Sequence, residues 1–455
     1  KHQAEQGIVQ GEFGLIPIQK YFLNRNFSDK HHWNVSLLLF SEADIDEPAF
    51  IKAISKVTAH HDALRIVFRF DGGAIRQYNR GLLEGELFSL KVFDYRNEAG
   101  AAATIVKEIK AIHTSMDLAT GPLLKFGLFK TREGNHLLIA IHHLVADAVS
   151  QQFITEDLIS GYLQALRGQD IQLPAKTDSL LDYSKAIYQY AESPELSVEA
   201  KYWEGIVATE APPLPKDGHP GRNRISDSVY HQTILLSAAE TDRLQKASRR
   251  SSRDLQTLLL AGLGYAIKEW SQNSRIPVTL IGHGRENVVG GLNITRTAGW
   301  ISLGYPVILE MDCPADIDRQ AHQIQETLAR VPNHGVGHDI LRYINEHFGD
   351  YRLNVEILFN FIGQDDDPRD GDNPPPYVVS PISALIGHDV SMTYETDRDY
   401  TFMMTLMIQA GALCLEINYN RHEYHESTVA AIAAAYAANL GKIINHYLSE
   451  TKMEQ

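Results

Sequence analysis

At 455 residues and 51.0 kDa the chain is longer than one ordinary core supports, so its length predicts two domains or lobes of roughly 200 residues each. A content of 44% hydrophobic and 22% charged residues is that of a folded globular protein and excludes disorder across the whole chain. The 42 Lys and Arg against 57 Asp and Glu leave a net charge of -15, and no basic run is interleaved with aromatics, which excludes nucleic acid and anionic membranes as expected partners. Cys313 and Cys414 have no ligand spacing, pointing to a reducing, cytoplasmic protein without disulfides or a cysteine zinc site. The start at Lys1 lacks a secretion-signal pattern, and no uninterrupted apolar run reaches ~18 residues. A chain beginning without Met reads as a segment excised from something larger and monomeric in isolation, although processing or cloning would leave the same start.

In chain order, the first ~180 residues alternate strands with helices. Trp33–Phe40 reads as a strand, and Asp46-Glu47-Pro48 opens a helix with Phe50, Ile51, Ile54 and Val57 on one face. Strands at Arg65–Phe70 and Phe88–Phe93 follow, then a helix near 98–114 and a strand at 123–130. His136–Ile141 is short, continuously apolar and preceded by Gly134-Asn135, the pattern of a buried strand. Ser150 is positioned to cap a helix carrying Phe153, Ile154, Leu158, Ile159 and Leu163. Residues 178–204 read as two helices broken at Ser193-Pro194, followed by a Pro/Gly-rich loop over 210–223, so the boundary is placed there: one lobe over 1–177, a second over 178–455. The second half predicts strands at 230–236, 277–282, 304–310, 354–361, 400–408 and 411–419. Its helices fall at 238–250, 254–270, 316–330, 338–347 and 426–448. This mixed order implies a layered α/β fold of the α+β sandwich type with antiparallel pairing.

The most informative residues follow the fifth of these strands. His142 and His143 stand at a strand-to-helix junction, with Asp147 four residues beyond the second histidine. A strand delivering a histidine into a dry cleft positions a general base, whereas a histidine at a strand end often only satisfies a hydrogen bond. A metal pair is disfavoured, because consecutive strand residues point to opposite faces. The second cluster is Ile281-Gly-His283-Gly-Arg285-Glu286, where two glycines allow close backbone approach and Arg285 could neutralise a buried carboxylate such as Asp147. The third is Arg296-Thr-Ala-Gly-Trp300 with Tyr305-Pro306, which core packing alone would also explain. His334 with His338, and His422 with His425, lack metalloprotease spacing, so no metal is expected.

Taken in order, these clusters resemble the condensation-domain superfamily of nonribosomal peptide synthetases, and specifically its epimerization domains. Pro17-Ile-Gln-Lys-Tyr-Phe22 is similar to PIQxWF, His142–Asp147 to HHxxxDG, Gly282–Glu286 to the latter part of EGHGRE, and Arg296–Trp300 with Tyr305-Pro306 to RTVGWF followed by YP. Pro332–Gly337 and Phe359–Gln364 resemble PxxGxGYG and FNYLGQ. The resemblance spans essentially the whole chain. It implies two chloramphenicol-acetyltransferase-like lobes in a V, with a central tunnel admitting the phosphopantetheine arm of a partner carrier protein among neighbouring synthetase modules. No cofactor is intrinsic to the chain. The arm carries an aminoacyl or peptidyl thioester, whose acidic α-proton is removed and returned on the other face.

By the same resemblance His143 matches the acid/base residue, with His142 beside it in the motif. Asp147 matches the aspartate that shapes the site through an arginine, here Arg285, while His283 and Trp300 belong to the same motifs. Asn360 and Tyr305 lie in motifs lining the cavity. Three positions depart from the pattern: Ile281 for the leading Glu of EGHGRE, Ala148 for Gly after the aspartate, and Gln151 for a Trp that commonly follows the serine. An isoleucine cannot titrate, so the second acid/base group falls to Glu286 or Tyr305. Three readings follow: an active epimerase, a degenerate domain that only docks a carrier protein, or a condensation catalyst.

Overall fold

The computed structural model describes residues 3–219, 223–286, 290–365, 377–387, 390–393 and 395–449. Most of the acidic loop expected after Gln364 therefore lies outside the described residues, as does Asn287. The first half comprises β1 (Gly11–Phe13), α1 (Pro17–Asn24), β2 (Asn34–Ser41), α2 (Glu47–His60), β3 (Ile66–Asp71), β4 (Ala74–Asn79), β5 (Ser89–Asp94), α3 (Ala102–His113), β6 (Leu124–Lys130), β7 (Asn135–His142) and α4 (Ala148–Leu166). Two linking helices follow, α5 (Leu180–Ala191) and α6 (Pro194–Val207). The second half is β8 (Ser228–Leu236), α7 (Ala238–Ser251), α8 (Leu255–Ser271), β9 (Arg275–Gly282), β10 (Leu303–Glu310), α9 (Ile317–Ala329), α10 (Val336–Asp339), β11 (Ile357–Asp365), β12 (Val378–Val379), β13 (Phe402–Gln409), β14 (Ala412–Asn420) and α11 (Glu426–Leu448).

These strands form two large mixed sheets. The first has the order β12-β2-β7-β6-β5, antiparallel except for the parallel β5–β6 pair. The second has the order β10-β9-β11-β13-β14-β8, with β11 parallel to both neighbours. A small sheet, β1-β4-β3, stands apart. The continuous apolar run of β7 is explained by burial on both faces: Leu137, Ile139 and Ile141 join the core built on α2 and α4, while Leu138 and Ala140 meet Ile105, Ile109 and Ile112 of α3.

The second sheet is covered differently on its two faces. Val278, Leu280, Ile357, Phe359, Phe402, Met404 and Leu406 pack into one core with α7, α8 and α11. By strand alternation Thr279, Ile281, Leu358, Asn360, Met403 and Thr405 occupy the other face, away from those helices. The Ala-rich α11 is long and apolar enough by length and composition to cross a membrane, yet Val429, Ile432, Tyr436, Leu440 and Ile443 are buried in this core.

The two halves are stitched together across residue 178. Leu180, Ile187, Trp203, Ile301, Leu303 and Ile340 belong to the same core as β7 and α2. Residues 377–393 reach back from the second half: β12 adds an edge strand beside β2, and the Ser391 carbonyl accepts from the Asn34 N–H at 2.8 Å. The helix expected over 338–347 is instead the short α10 continuing as a π-helix, Ile340–Ile344. Ser150 does not cap α4; Asp147 does, placing the helix start at Ala148.

Candidate active site

The His doublet separates into two unlike groups because β7 ends between them. His142 closes the strand, and a 3-10 turn, His143–Val145, begins at once. The His142 Nδ1 accepts from the Leu144 N–H at 3.1 Å and its Nε2 lies 2.9 Å from the Lys30 carbonyl, which places the proton on Nε2. Both ring nitrogens are thus committed, and burial pushes its pKa down to about 3. His142 is thus a fixed strut of the strand end.

His143 differs in every respect. Its backbone N–H donates to the Trp33 carbonyl at 2.8 Å, holding the turn against β2, while the ring keeps partial exposure and its Nδ1 has no partner at hydrogen-bonding geometry among the described residues. The Trp300 ring lies against it with centroids 3.9 Å apart and planes tilted by 31°. Desolvation lowers its pKa below the usual imidazole value, against the opposing pull of backbone groups and of the Asp147 charge. The shift favours the neutral imidazole, the state a base requires.

Asp147 is not placed to transfer protons. Its Oδ1 accepts from the Ser150 N–H (2.9 Å) and Ser150 Oγ (2.8 Å), capping α4, and from Arg285 Nη2 (2.9 Å). Its Oδ2 accepts from Arg285 Nη1 (2.9 Å) and from the backbone N–H groups of Ile301 (3.1 Å) and Ser302 (3.0 Å). Burial alone would raise its pKa; the Arg285 charge and these hydrogen bonds outweigh it and hold the carboxyl below its ordinary value. One carboxylate therefore joins the start of α4, the end of β9 and the loop carrying Trp300, a positioning place in the site.

Two further contacts complete this joint. Ser150 Oγ accepts from the Gly299 N–H at 3.1 Å, and Arg285 Nη2 donates to the Thr297 carbonyl at 3.1 Å. Gly284, at φ +70°, is required because a Cβ there would collide with the Ile301 carbonyl. Nothing in the sequence signalled that Ser150, Ile301 and Ser302 share this carboxylate, since all reach it through the fold.

The other expected site residues fall into three places. Ile281 and Asn360 each follow directly on the last paired residues of β9 and β11, Leu280 and Phe359, on the face of the second sheet away from α7, α8 and α11. Glu286 turns to solvent and pairs with the exposed His283 at 3.1 Å. Tyr305 pairs with Leu280, which sets it on the opposite face from Ile281; its ring fills the space beside Gly335 and faces Trp203 at 6.5 Å. Burial, then the Glu286 charge, raise the Tyr305 pKa. Gln151 is half-buried with an amide nitrogen lacking a partner among the described residues, and Ala148 begins α4 in the open. Of the histidine groups, His338 is bonded to Asp339 (2.8 Å) and Tyr351 (3.1 Å). One other cluster, His60, His61 and Asp157, has metal-ligand proximity, but Asp157 is already engaged by His61 (2.8 Å) and Arg296 (2.7 Å).

Comparison with known proteins places this arrangement among close relatives. A family profile, "Condensation domain", matches residues 9–455. Tyrocidine synthase 2 of Brevibacillus parabrevis is 37% identical over 459 residues, and gramicidin S synthase 1 of Brevibacillus brevis 35% identical over 464. Those alignments cover 99% and 100% of this chain but only 12% and 42% of the two synthases. Among solved structures, the epimerization domain from the third module of tyrocidine synthetase B superimposes with a TM-score of 0.89 at 36% identity, covering 99% of both chains. SgcC5 of Streptomyces globisporus, at 16% identity and TM-score 0.69, shares the fold.

Proposed function

The chain belongs to the condensation-domain family, and on that premise we propose that it inverts the α-carbon of an aminoacyl or peptidyl thioester tethered to a carrier protein. The observation carrying this reading is His143, a partly exposed imidazole that burial holds toward its neutral form, in a chain whose fold follows an epimerization domain at TM-score 0.89. Thioester conjugation acidifies the α-proton, so His143 takes it, leaving an enolate whose faces are equivalent to an incoming proton apart from the groups around it. The Trp300 ring fixes the imidazole plane, and the Asp147–Arg285 joint fixes Trp300. A phosphopantetheine arm brings the substrate, and the partial exposure of His143 suits a group reached by a tethered acyl chain. Neighbouring modules supply that carrier, as expected of a chain spanning 12% of tyrocidine synthase 2.

Ile281 favours a second reading. Where the EGHGRE pattern carries a carboxylate, this chain carries a side chain that cannot titrate, which supports a domain that docks a carrier with weakened or no inversion.

The test is to load a carrier domain with an L-aminoacyl thioester in deuterated water and follow both deuterium at the α-carbon and the appearance of the D-isomer. Inversion with deuterium uptake, lost in His143→Ala, supports the epimerase. Absence of both in the wild-type chain favours the docking reading, and dipeptide formation with a second loaded carrier would instead indicate condensation.

A further inference from the structure

The loop that carries Trp300 is fastened to the linker between the halves as well as to Asp147. Asp178, just before α5, is buried; its Oδ2 accepts from the Asn293 N–H at 2.7 Å, and its own N–H donates to the Asn293 carbonyl at 2.8 Å. The buried Thr297 hydroxyl donates to the Asp178 carbonyl and lies 3.0 Å from the Thr177 hydroxyl. Both ends of the stretch 293–297 are thus tied to two consecutive linker residues. The Thr297 carbonyl accepts from Arg285, so this residue stands between the linker and the Asp147–Arg285 joint. Gly299, two places on, sits against Leu180 of α5, where a Cβ would meet that side chain at 2.9 Å. Trp300 is the next residue, and its ring lies on His143.

The linker is fixed in turn by the N-terminal segment. Gln6 pairs with the Lys176 backbone in both directions: its Oε1 accepts from the N–H and its Nε2 donates to the carbonyl, each at 3.0 Å. The Lys176 ammonium donates to the Gly7 carbonyl at 2.6 Å and lies 2.5 Å from Asp62 Oδ2. Asp62 Oδ1 accepts from the Val9 N–H at 3.2 Å and from Arg65 Nη2 at 2.5 Å, and the same Nη2 donates to the Val9 carbonyl at 3.1 Å. The side chains of Lys176, Asp62 and Arg65 are all buried, so their charges are screened little and each depends on the others. Every step from Gln6 to Thr297 is a direct hydrogen bond or a neighbouring residue.

We infer that Asp178 is a positioning residue for Trp300, and through that ring for His143, and that Lys176 extends the same route outward to the Gln6–Val9 segment. The catalytic consequence rests on the epimerase reading above; the positioning does not. Asp147 fixes the loop after Trp300, at Ile301 and Ser302, while Arg285 and Asp157 reach it at the Thr297 carbonyl and at Arg296. Asp178 fixes the loop where it enters, at Asn293, and sets the Thr297 peptide that Arg285 grips. An indole laid on an imidazole with centroids 3.9 Å apart keeps that contact only while both ends of its loop are held. Misplacing a reacting group by about 1 Å costs on the order of 10²-fold in rate, so a slack entry to this loop is felt at His143.

The experiment uses the full chain with isotope-labelled histidine, and the His143 ring signal is identified by its loss in His143→Ala. Asp178→Ala raises the measured His143 pKa toward the ordinary imidazole value, as Trp300→Leu does. It also lowers deuterium exchange into an L-phenylalanyl carrier thioester by about 10-fold in kcat, with KM within about twofold of wild type. Asp178→Asn, which keeps an acceptor for the Asn293 N–H, retains about half of wild-type exchange or more. Thr297→Val, equal in shape but without the hydroxyl, gives a smaller shift in the same direction and serves if Asp178→Ala fails to fold. Gln6→Ala, at the exposed outer end, lowers exchange by about twofold with the same direction of titration shift. Added to Trp300→Leu, Asp178→Ala costs less than about twofold more, because both act through one ring. A His143 titration unmoved in both Asp178→Ala and Thr297→Val overturns the inference, as does a full additive loss on top of Trp300→Leu. An unmoved titration in Gln6→Ala overturns the part assigned to Lys176. A wild-type chain that neither exchanges nor inverts defeats the epimerase reading instead, and the titration still decides the positioning role.

Discussion

Arg285 grips Asp147 edge-on, with both terminal guanidinium nitrogens 2.9 Å from the two carboxylate oxygens, across 138 positions of chain. Both side chains are almost wholly buried, so the charges are screened little and depend on one another. Ser150 hydrogen-bonds the same carboxylate, and hydrogen bonds from Ile301 and Ser302 to Asp147 and from Arg285 to the Thr297 carbonyl tie the start of α4 to the Trp300 loop. The joint is therefore a mechanical link between the halves, and His143 depends on it through Trp300.

Removing one partner strands the other. Asp147→Ala leaves a buried guanidinium uncompensated and α4 uncapped, for an expected loss of about 3–5 kcal/mol. Urea unfolding monitored by tryptophan fluorescence reads this as a lower midpoint. Because the Asp147 pKa is depressed in the fold, this stabilisation is present above the ordinary aspartate value and is lost as pH falls through the folded value. The destabilisation by Asp147→Ala is thus full at neutral pH and shrinks in strong acid.

Trp300 desolvates the imidazole it covers. Trp300→Leu exposes His143 and returns its pKa toward the ordinary value, so the acid limb of the exchange rate, which in the wild type lies below the usual imidazole range, moves to higher pH. A rate profile from mildly acidic to neutral pH checks this. An unchanged limb would show that the exchange does not titrate with His143.

Ile281→Glu places a carboxylate on the face of β9 where Thr279 also projects, just past the Leu280–Phe359 pair. The expected result is an increase in inversion of roughly 10–100-fold with little change in stability, since the position is half-exposed. Chiral analysis of hydrolysed thioester measures it; no gain would mean that this face does not meet the α-carbon.

Two histidines outside the chemistry set an acid limit on the fold. Burial pushes the pKa of both His142 and His113 down to about 3, so each stays neutral in the native state while the unfolded chain binds a proton near pH 6.5. With more protons on the unfolded state, stability is complete above the unfolded value and falls as pH drops from about 6.5 toward 3. The slope is about 1.4 kcal/mol per pH unit for each histidine. His113→Gln should make that decline shallower in urea titrations at stepped pH.

Much of the fold was legible because its signals are local. The run His136–Ile141 announced a strand buried on both faces, and the apolar spacing of α2, α4 and α11 announced their helices. What misleads is also local: Ser150 looks like a cap, yet Asp147 supplies it, and the serine hydroxyl donates to that aspartate while accepting from the Gly299 N–H. The helix expected over 338–347 continues as a π-turn after Asp339, a choice made by packing against α1 and α5.

The sequence by itself determined which residue types were available: a histidine doublet after an apolar strand, an aspartate four places on, an arginine between glycines, and an isoleucine where a carboxylate would serve. Tertiary structure alone decided their roles. Two adjacent histidines have the same chemistry until a strand end locks one ring between Leu144 and Lys30 and leaves the other free under Trp300. Tyr305 and Ile281 lie close in the sheet yet on opposite faces, and Phe402, far along the chain, comes beside Ile357 and so near Val278, because a pleated sheet alternates its side chains while register brings distant strands together.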